Sequence, residues 1–292
     1  MKTKTFLLTL VGIFSIGITL GACSTAKIPE SGKIGVTVSI LPQKYFVERI
    51  GGDLVEVNVM VGPGMDPHTY EPQPAQMESL ATSQLYFSIG VEFEDAWLAK
   101  FKDTNPELKF IDVSSNIEKI PMTAEEHQEE GEMDPHIWLS PANVRIIAQT
   151  MAAALSEIDP QNSAIYQNNL NDFLMDIDTL DEEIRTSLDP LTNRKFITFH
   201  PAWGYFARDY DLEQISIEVG GNEPSAAEMA DLINTAKTDS IHIIFAQPEF
   251  NTKAAETIAV EIDGRVIFIS PLAENWLENM KIITQSFASA LQ

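Results

Sequence analysis

From residue 34 onward, short β-rich runs alternate with helical runs, and this alternation leaves few folds open. Parallel strands need a crossover between them, usually a helix, so a repeating strand–helix order implies parallel sheets covered by helices on both faces. In the first half the pattern predicts strands at 34–39, 55–61, 85–89 and 109–113, with helices at 43–50, 75–82 and 94–101. In the second half it predicts strands at 196–199, 214–217, 241–245 and 266–269, with helices at 203–209, 226–237, 253–261 and 274–291. Residues 160–188 carry no strand pattern. There Ile165, Leu170, Phe173, Leu174, Ile177, Leu180 and Ile184 recur at the spacing of one helical face, between Asp159-Pro160 and Asp189-Pro190. At 1.5 Å per residue such a helix is roughly 40 Å long. The expectation is an α/β chain of two Rossmann-like lobes, each a parallel sheet with flanking helices, joined by one long spine helix. The lobes are placed at 34–155 and 191–292 and the linking helix at 156–190. The halves show no residue repeat, so their likeness is one of plan alone.

The N-terminus reads as an address. Lys2 and Lys4 precede the apolar run from Phe6 to Leu20, which is the arrangement of a secretory leader and too short to span a bilayer. Leu20-Gly21-Ala22-Cys23 looks like a bacterial lipobox. Cys23 is the chain's only cysteine, so no internal disulfide can form, and lipidation accounts for its position. The reading is a leader at 1–22, an acylated Cys23 and a flexible tether at 23–33. It implies a monomer held by a lipid anchor on the outer face of the cell membrane or its periplasmic side. The formal net charge of −24 argues against nucleic-acid binding and against docking on anionic lipid through a basic patch. The same field concentrates cations. Residues 122–134 are nearly all acidic or polar and are expected to form a solvated loop.

Three of the 5 histidines share a setting. His68 lies in Met65-Asp66-Pro67-His68-Thr69-Tyr70-Glu71-Pro72, after an expected strand. His136 lies in Asp134-Pro135-His136-Ile137-Trp138-Leu139, after the acidic loop. His200 lies in Phe199-His200-Pro201-Ala202-Trp203, at a strand end in the second half. Ligand sites of open α/β sheets form beyond the carboxyl ends of the strands. A neighbouring proline stiffens each backbone. Three converging imidazoles would make a borderline-soft nitrogen site, which favours zinc over the oxygen-seeking ions. His242 reads as a core residue of an apolar strand, His127 as part of the solvated loop, and Gly220-Gly221 lacks phosphate-loop spacing.

The lipobox, Gly-Met-Asp-Pro-His-Thr-Tyr-Glu-Pro, Asp-Pro-His-Ile-Trp-Leu, Thr-Phe-His-Pro-Ala-Trp-Gly-Tyr-Phe and Asn-Glu-Pro-Ser together resemble the zinc/manganese solute-binding lipoproteins of ABC transporters, a group also called adhesins. The resemblance covers essentially the whole mature chain. It implies two α/β lobes on one long helix, a metal between them, and an ABC permease as partner. It places metal ligands on His68, His136 and His200, and histidine at the third position is that of zinc members. Two features depart from the family. Its fourth ligand, an aspartate before Pro-Leu, is replaced by Ser270 in Ile269-Ser270-Pro271-Leu272, which opens the fourth position to water or to a loop carboxylate such as Glu126 or Glu129. The loop before His136 is short, with His127 as its one histidine. Glu71 is a candidate to orient a ligand histidine, and Tyr70, Trp138, Trp203 and Tyr205 are candidate walls.

The chain therefore reads as a zinc receptor that delivers its ion to a permease, closing its lobes partway around the ion. A manganese or iron(II) receptor of the same family is the first alternative. A three-histidine zinc hydrolase is the second, although no acid stands as an evident general base and no His-Glu-x-x-His run exists. Host-surface adhesion has no sequence feature of its own. Because the ligands must be neutral imidazoles, metal affinity is expected to fall as pH drops through about 6.

Overall fold

A computed structural model describes residues 32–122, 133–218, 222–250 and 253–292. The expected leader, Cys23, most of the tether, Glu126, His127, Glu129 and Gly220-Gly221 lie outside the described residues.

The first lobe holds β1 (Ile34–Ile40), α1 (Leu41–Gly51), β2 (Val55–Val61), α2 (Pro74–Thr82), β3 (Leu85–Ser88), α3 (Phe93–Thr104) and β4 (Lys109–Asp112). Its strands lie in the order β2-β1-β3-β4, every pairing parallel. The second lobe holds β5 (Lys195–Thr198), α6 (Gly204–Asp209), β6 (Glu213–Ser216), α7 (Ala226–Thr238), β7 (Ile243–Ala246), α8 (Lys253–Glu261), β8 (Arg265–Phe268) and α9 (Trp276–Ala290). Its order, β6-β5-β7-β8, repeats the first lobe's plan. The central strand β1 is buried on both faces, and its sequence alternates Ile and Val on one face with Gly35, Thr37 and Ser39 on the other, where small side chains fit under the covering elements.

Two helices lie between the lobes, α4 (Pro141–Ile158) and α5 (Ser163–Leu188). The long linking helix is present as α5, whose 26 residues span about 39 Å. It does not run back to residue 156. The chain breaks at Asp159-Pro160 and passes through a 3-10 turn, Pro160–Asn162, before α5 begins. Asp159 fixes this break, since its Oδ2 accepts hydrogen bonds of 2.7 Å from both Asn162 and the Tyr166 hydroxyl. The apolar face of α5 also starts one residue later than expected: Tyr166 is buried and Ile165 is exposed. The sequence pattern missed α4 as a separate helix, because its buried positions cover half its circumference and show no narrow stripe.

α5 packs on α4 beside it, on α1 of the first lobe and on α9 of the second. Phe46, Phe173 and Trp276 meet at 5.3–6.3 Å in the middle, so one apolar core continues through both lobes. Two buried tryptophans lock it. Trp138 Nε1 donates to the Pro271 carbonyl and Trp276 Nε1 donates to the Trp138 carbonyl, each at 2.7 Å.

Candidate metal centre

The carboxyl ends of the strands of both sheets open on one crevice. The loop after β2 carries His68, that after β3 Glu92, that after β5 His200, and that after β6 Glu218. Phe250 follows β7, and Pro271 and Leu272 follow β8. His136 arrives by another route, on the segment leading into the 3-10 turn Ile137–Leu139 that precedes α4.

The two Asp-Pro-His runs fold alike. Asp66 Oδ1 accepts from the His68 backbone N–H, and Asp134 Oδ1 from that of His136, each at 2.9 Å. This is an Asx turn, which an aspartate two residues upstream is suited to make. The runs then diverge. Asp134 Oδ1 also takes the ring of its own histidine, 2.8 Å from His136 Nδ1. Asp66 turns its other oxygen to the Thr69 hydroxyl, and His68 Nδ1 is met instead by Glu92, at 3.0 Å. His200 Nδ1 is met by Glu218 at 2.6 Å.

Each imidazole therefore has a carboxylate on Nδ1, which holds the proton there and leaves the Nε2 lone pair free. The three Nε2 atoms point at one another. His200 Nε2 lies 3.3 Å from His136 Nε2 and 3.3 Å from His68 Nε2, and the three donor atoms fall within 4.8 Å of one another. A zinc ion at about 2.0 Å from each nitrogen sets tetrahedral edges of about 3.3 Å. Lone pairs aimed at a common point repel unless a cation lies between them, so this donor set fits a divalent ion. His136 and His200 are buried, while His68 and Glu92 keep about a quarter of their side chains exposed. Burial alone would lower the His68 pKa, but the hydrogen bond and charge of Glu92, with Asp66 and Glu218, raise it above the ordinary histidine value. Glu92 is held below the ordinary carboxyl value: burial opposes ionisation, and His68 outweighs it. His200 moves down, chiefly through burial, with the other two histidines adding to this against Glu218.

His136 belongs to the first half of the chain but is fixed to the second lobe. The Tyr205 hydroxyl donates to the Asp134 carbonyl at 2.9 Å, Ser140 Oγ donates to Asp209 Oδ2, and Trp138 bonds Pro271. His136 and His200 are thus a pair on one body, and His68 with Glu92 faces them from the other.

Beside the three nitrogens is a cavity of about 10 Å³, room for about one water-sized particle. Its other walls are mainly Pro67, Val91, Trp138, Phe250, Pro271 and Leu272. Ser270 does not line it. Its hydroxyl donates to Glu249 Oε1 at 2.5 Å and accepts from the Leu272 N–H at 3.1 Å, so it is engaged within its own loop. Glu71 is exposed, and the carboxylate that orients His68 is Glu92. Of the aromatic candidates only Trp138 lines the cavity. Tyr205 acts one step back through Asp134, Tyr70 packs edge-on against Phe93 at 5.6 Å, and Trp203 against Phe287. His242 is exposed just before β7, its ring nitrogen 3.1 Å from the Ile262 carbonyl, and is not a core residue.

Sequence reasoning missed Glu92, Glu218 and Phe250. The strand ends locate their loops, but among 43 acidic residues nothing local separates these two from the rest. Asp134 carried a signal, its place two residues before His136, that the proline argument passed over.

Comparison with known proteins points to one family. The family described as "Zinc-uptake complex component A periplasmic", ZnuA, matches residues 36–290. A putative metal-binding protein of Chlamydia trachomatis is 30% identical over 278 residues, covering 95% of this chain and 97% of that one. The high-affinity zinc uptake system protein ZnuA of Bacillus subtilis is 28% identical over 281 residues, 89% of this chain and 88% of its own. Among solved structures, a zinc-bound deletion mutant of ZnuA is 46% identical and superposes with a TM-score of 0.84, over 89% of this chain and 98% of that one.

Proposed function

We propose that this chain, which belongs to the ZnuA family of zinc-uptake components, is an extracytoplasmic receptor that binds one zinc ion and delivers it to an ABC permease. The observation that carries this reading is the convergence of three Nε2 atoms, His200 lying 3.3 Å from each of the other two and all three within 4.8 Å, each imidazole backed by a carboxylate. His68, His136 and His200 are the ligands, and Glu92, Asp134 and Glu218 fix their tautomers and raise their basicity. Three carboxylates close behind neutral ligands favour a doubly charged ion over an empty site. Manganese and iron(II), which prefer more oxygen ligands, fit this nitrogen set less well.

The fourth position is open to water or to a loop carboxylate such as Glu126 or Glu129, and not to Ser270, which is engaged within its own loop. The chain is a receptor and not an enzyme; a lining that apart from the three histidines and Glu92 is apolar supports this, since Glu92 is engaged with His68 and leaves no lining acid to serve as a general base. Capture is a small movement of the His68 loop toward the His136–His200 pair. The continuous core through Phe46, Phe173 and Trp276 supports this over a wide hinge opening. The first lobe runs to the break at Asp159-Pro160, α5 is the link and the second lobe follows it, and the protein works as a monomer anchored by a lipid on Cys23.

The test is metal titration of the form beginning after Cys23, beside His68→Ala, His136→Ala and His200→Ala. One zinc per chain, lost or much weakened in each variant, supports the reading. Zinc binding indifferent to all three substitutions moves the site elsewhere. Cys23→Ser in the full chain should shift the protein from the membrane fraction to the soluble one; if it stays with the membrane, the anchor reading fails.

A further inference from the structure

We propose that Phe250 is a positioning and specificity-determining residue of this site: it closes the solvent side of the metal's open position and so holds the ion at low coordination number. The inference rests on the zinc reading above.

The cavity's lining divides sharply by exposure. Pro67, Val91, Trp138, Pro271 and Leu272 are buried, as are His136 and His200. Among the described residues only His68, Glu92 and Phe250 line the cavity while remaining partly exposed, so these three form its described rim toward solvent. His68 and Glu92 are already committed as a ligand and the partner of its Nδ1. Phe250 is the one rim residue with no polar task. Its ring stacks on the His200 imidazole, centroids 4.8 Å apart and planes 26° from parallel. It also faces His68 at 6.1 Å and packs on Phe199 at 6.4 Å. One side chain rooted in the second lobe's apolar cluster thus touches ligands from both bodies.

Two consequences follow from the chemistry. An ion with three nitrogen ligands and an apolar cap can add at most one small ligand, which zinc accepts and which manganese, seeking six mostly oxygen ligands, does not. Water must also pass the ring to begin ligand exchange, so the cap slows release until the loops move. The stacked face holds the His200 ring plane while Glu218 holds its Nδ1 edge.

Cobalt(II) reports coordination number, because four-coordinate cobalt absorbs visible light far more strongly than six-coordinate cobalt. Wild type, Phe250→Leu and Phe250→Ala are loaded with cobalt and, separately, with zinc or manganese. Wild type should show the intense band. Phe250→Ala should lose much of it, release zinc to a chelator about tenfold faster and discriminate zinc from manganese about tenfold less, the lower range for loss of an outer support of a metal site. Phe250→Leu, which keeps an apolar cap, should fall between. Equal unfolding midpoints of the metal-free forms show that the variants are folded; if Phe250→Ala is not, the leucine variant carries the test alone. An unchanged cobalt band with unchanged zinc release and metal preference in the folded variants overturns the role of Phe250. Failure of wild type itself to bind zinc overturns the underlying zinc reading, and this inference with it.

Discussion

A β-carbon added to Gly204 would stand 2.5 Å from Asp134 Oδ2, so the glycine at the head of α6 makes room for the carboxylate that orients His136. Asp134 is fully buried, and its Oδ1 takes both the backbone N–H and the ring of His136. Gly204→Ala must push this carboxylate away, although it touches no candidate ligand directly. Zinc affinity is expected to fall about 10–100-fold. Competition against a chelator of known affinity measures it, and an affinity within twofold of wild type would show that Asp134 has slack.

The carboxylates behind the other two histidines should matter in the same way. Glu218→Ala removes the acceptor 2.6 Å from His200 Nδ1 and frees the ring to turn or change tautomer. Glu92→Ala does the same to His68, which is more exposed and has more freedom to readjust. Each should weaken zinc by at least about tenfold, Glu218→Ala more than Glu92→Ala. Titration calorimetry of the two variants checks the order, and the reverse order would mean that exposure does not govern the tolerance.

Trp138 ties the turn after His136 to the loop after β8 through its 2.7 Å bond to the Pro271 carbonyl. Trp138→Phe leaves that carbonyl without its donor and thins the core, at an expected cost of about 2 kcal/mol in the metal-free protein. Urea unfolding reads this directly. No loss of stability would mean that the second tie, from Trp276 to the Trp138 carbonyl, suffices alone.

Glu94 gives a pH signature unconnected with metal. Burial is the main cause that pushes its carboxyl up to about 7, against hydrogen bonds from Ser39, Ile89 and Gly90. Between about 4.5 and 7 the folded chain keeps a proton here that the unfolded chain has lost, so this group's contribution to stability falls as pH rises through that window. The full change is on the order of 3 kcal/mol. Relative to wild type, Glu94→Gln should gain stability by about that amount between pH 4.5 and 8 in the metal-free form. A constant difference across that range would show that the folded carboxyl titrates normally.

The alternation of apolar runs determined the α/β class, the parallel sheets and nearly every strand, because periodicity along the chain reports which face of an element is buried. The same local information placed His68, His136 and His200 at loops able to meet, and the paired Asp-Pro-His runs encoded their Asx turns within a few residues. What the sequence left undecided depends on contacts between residues far apart in the chain. Glu92 rather than Glu71 holds His68, and Glu218 holds His200, because these loops leave neighbouring strands at one crevice. Ser270 is drawn to Glu249, away from the cavity, by a partner 21 residues upstream. His136 is attached to the second lobe through Tyr205, Asp209 and Pro271, against its position in the first half of the chain. Side-chain periodicity fixes elements one at a time, whereas the orientation of a ring or carboxylate is settled only when distant segments pack together.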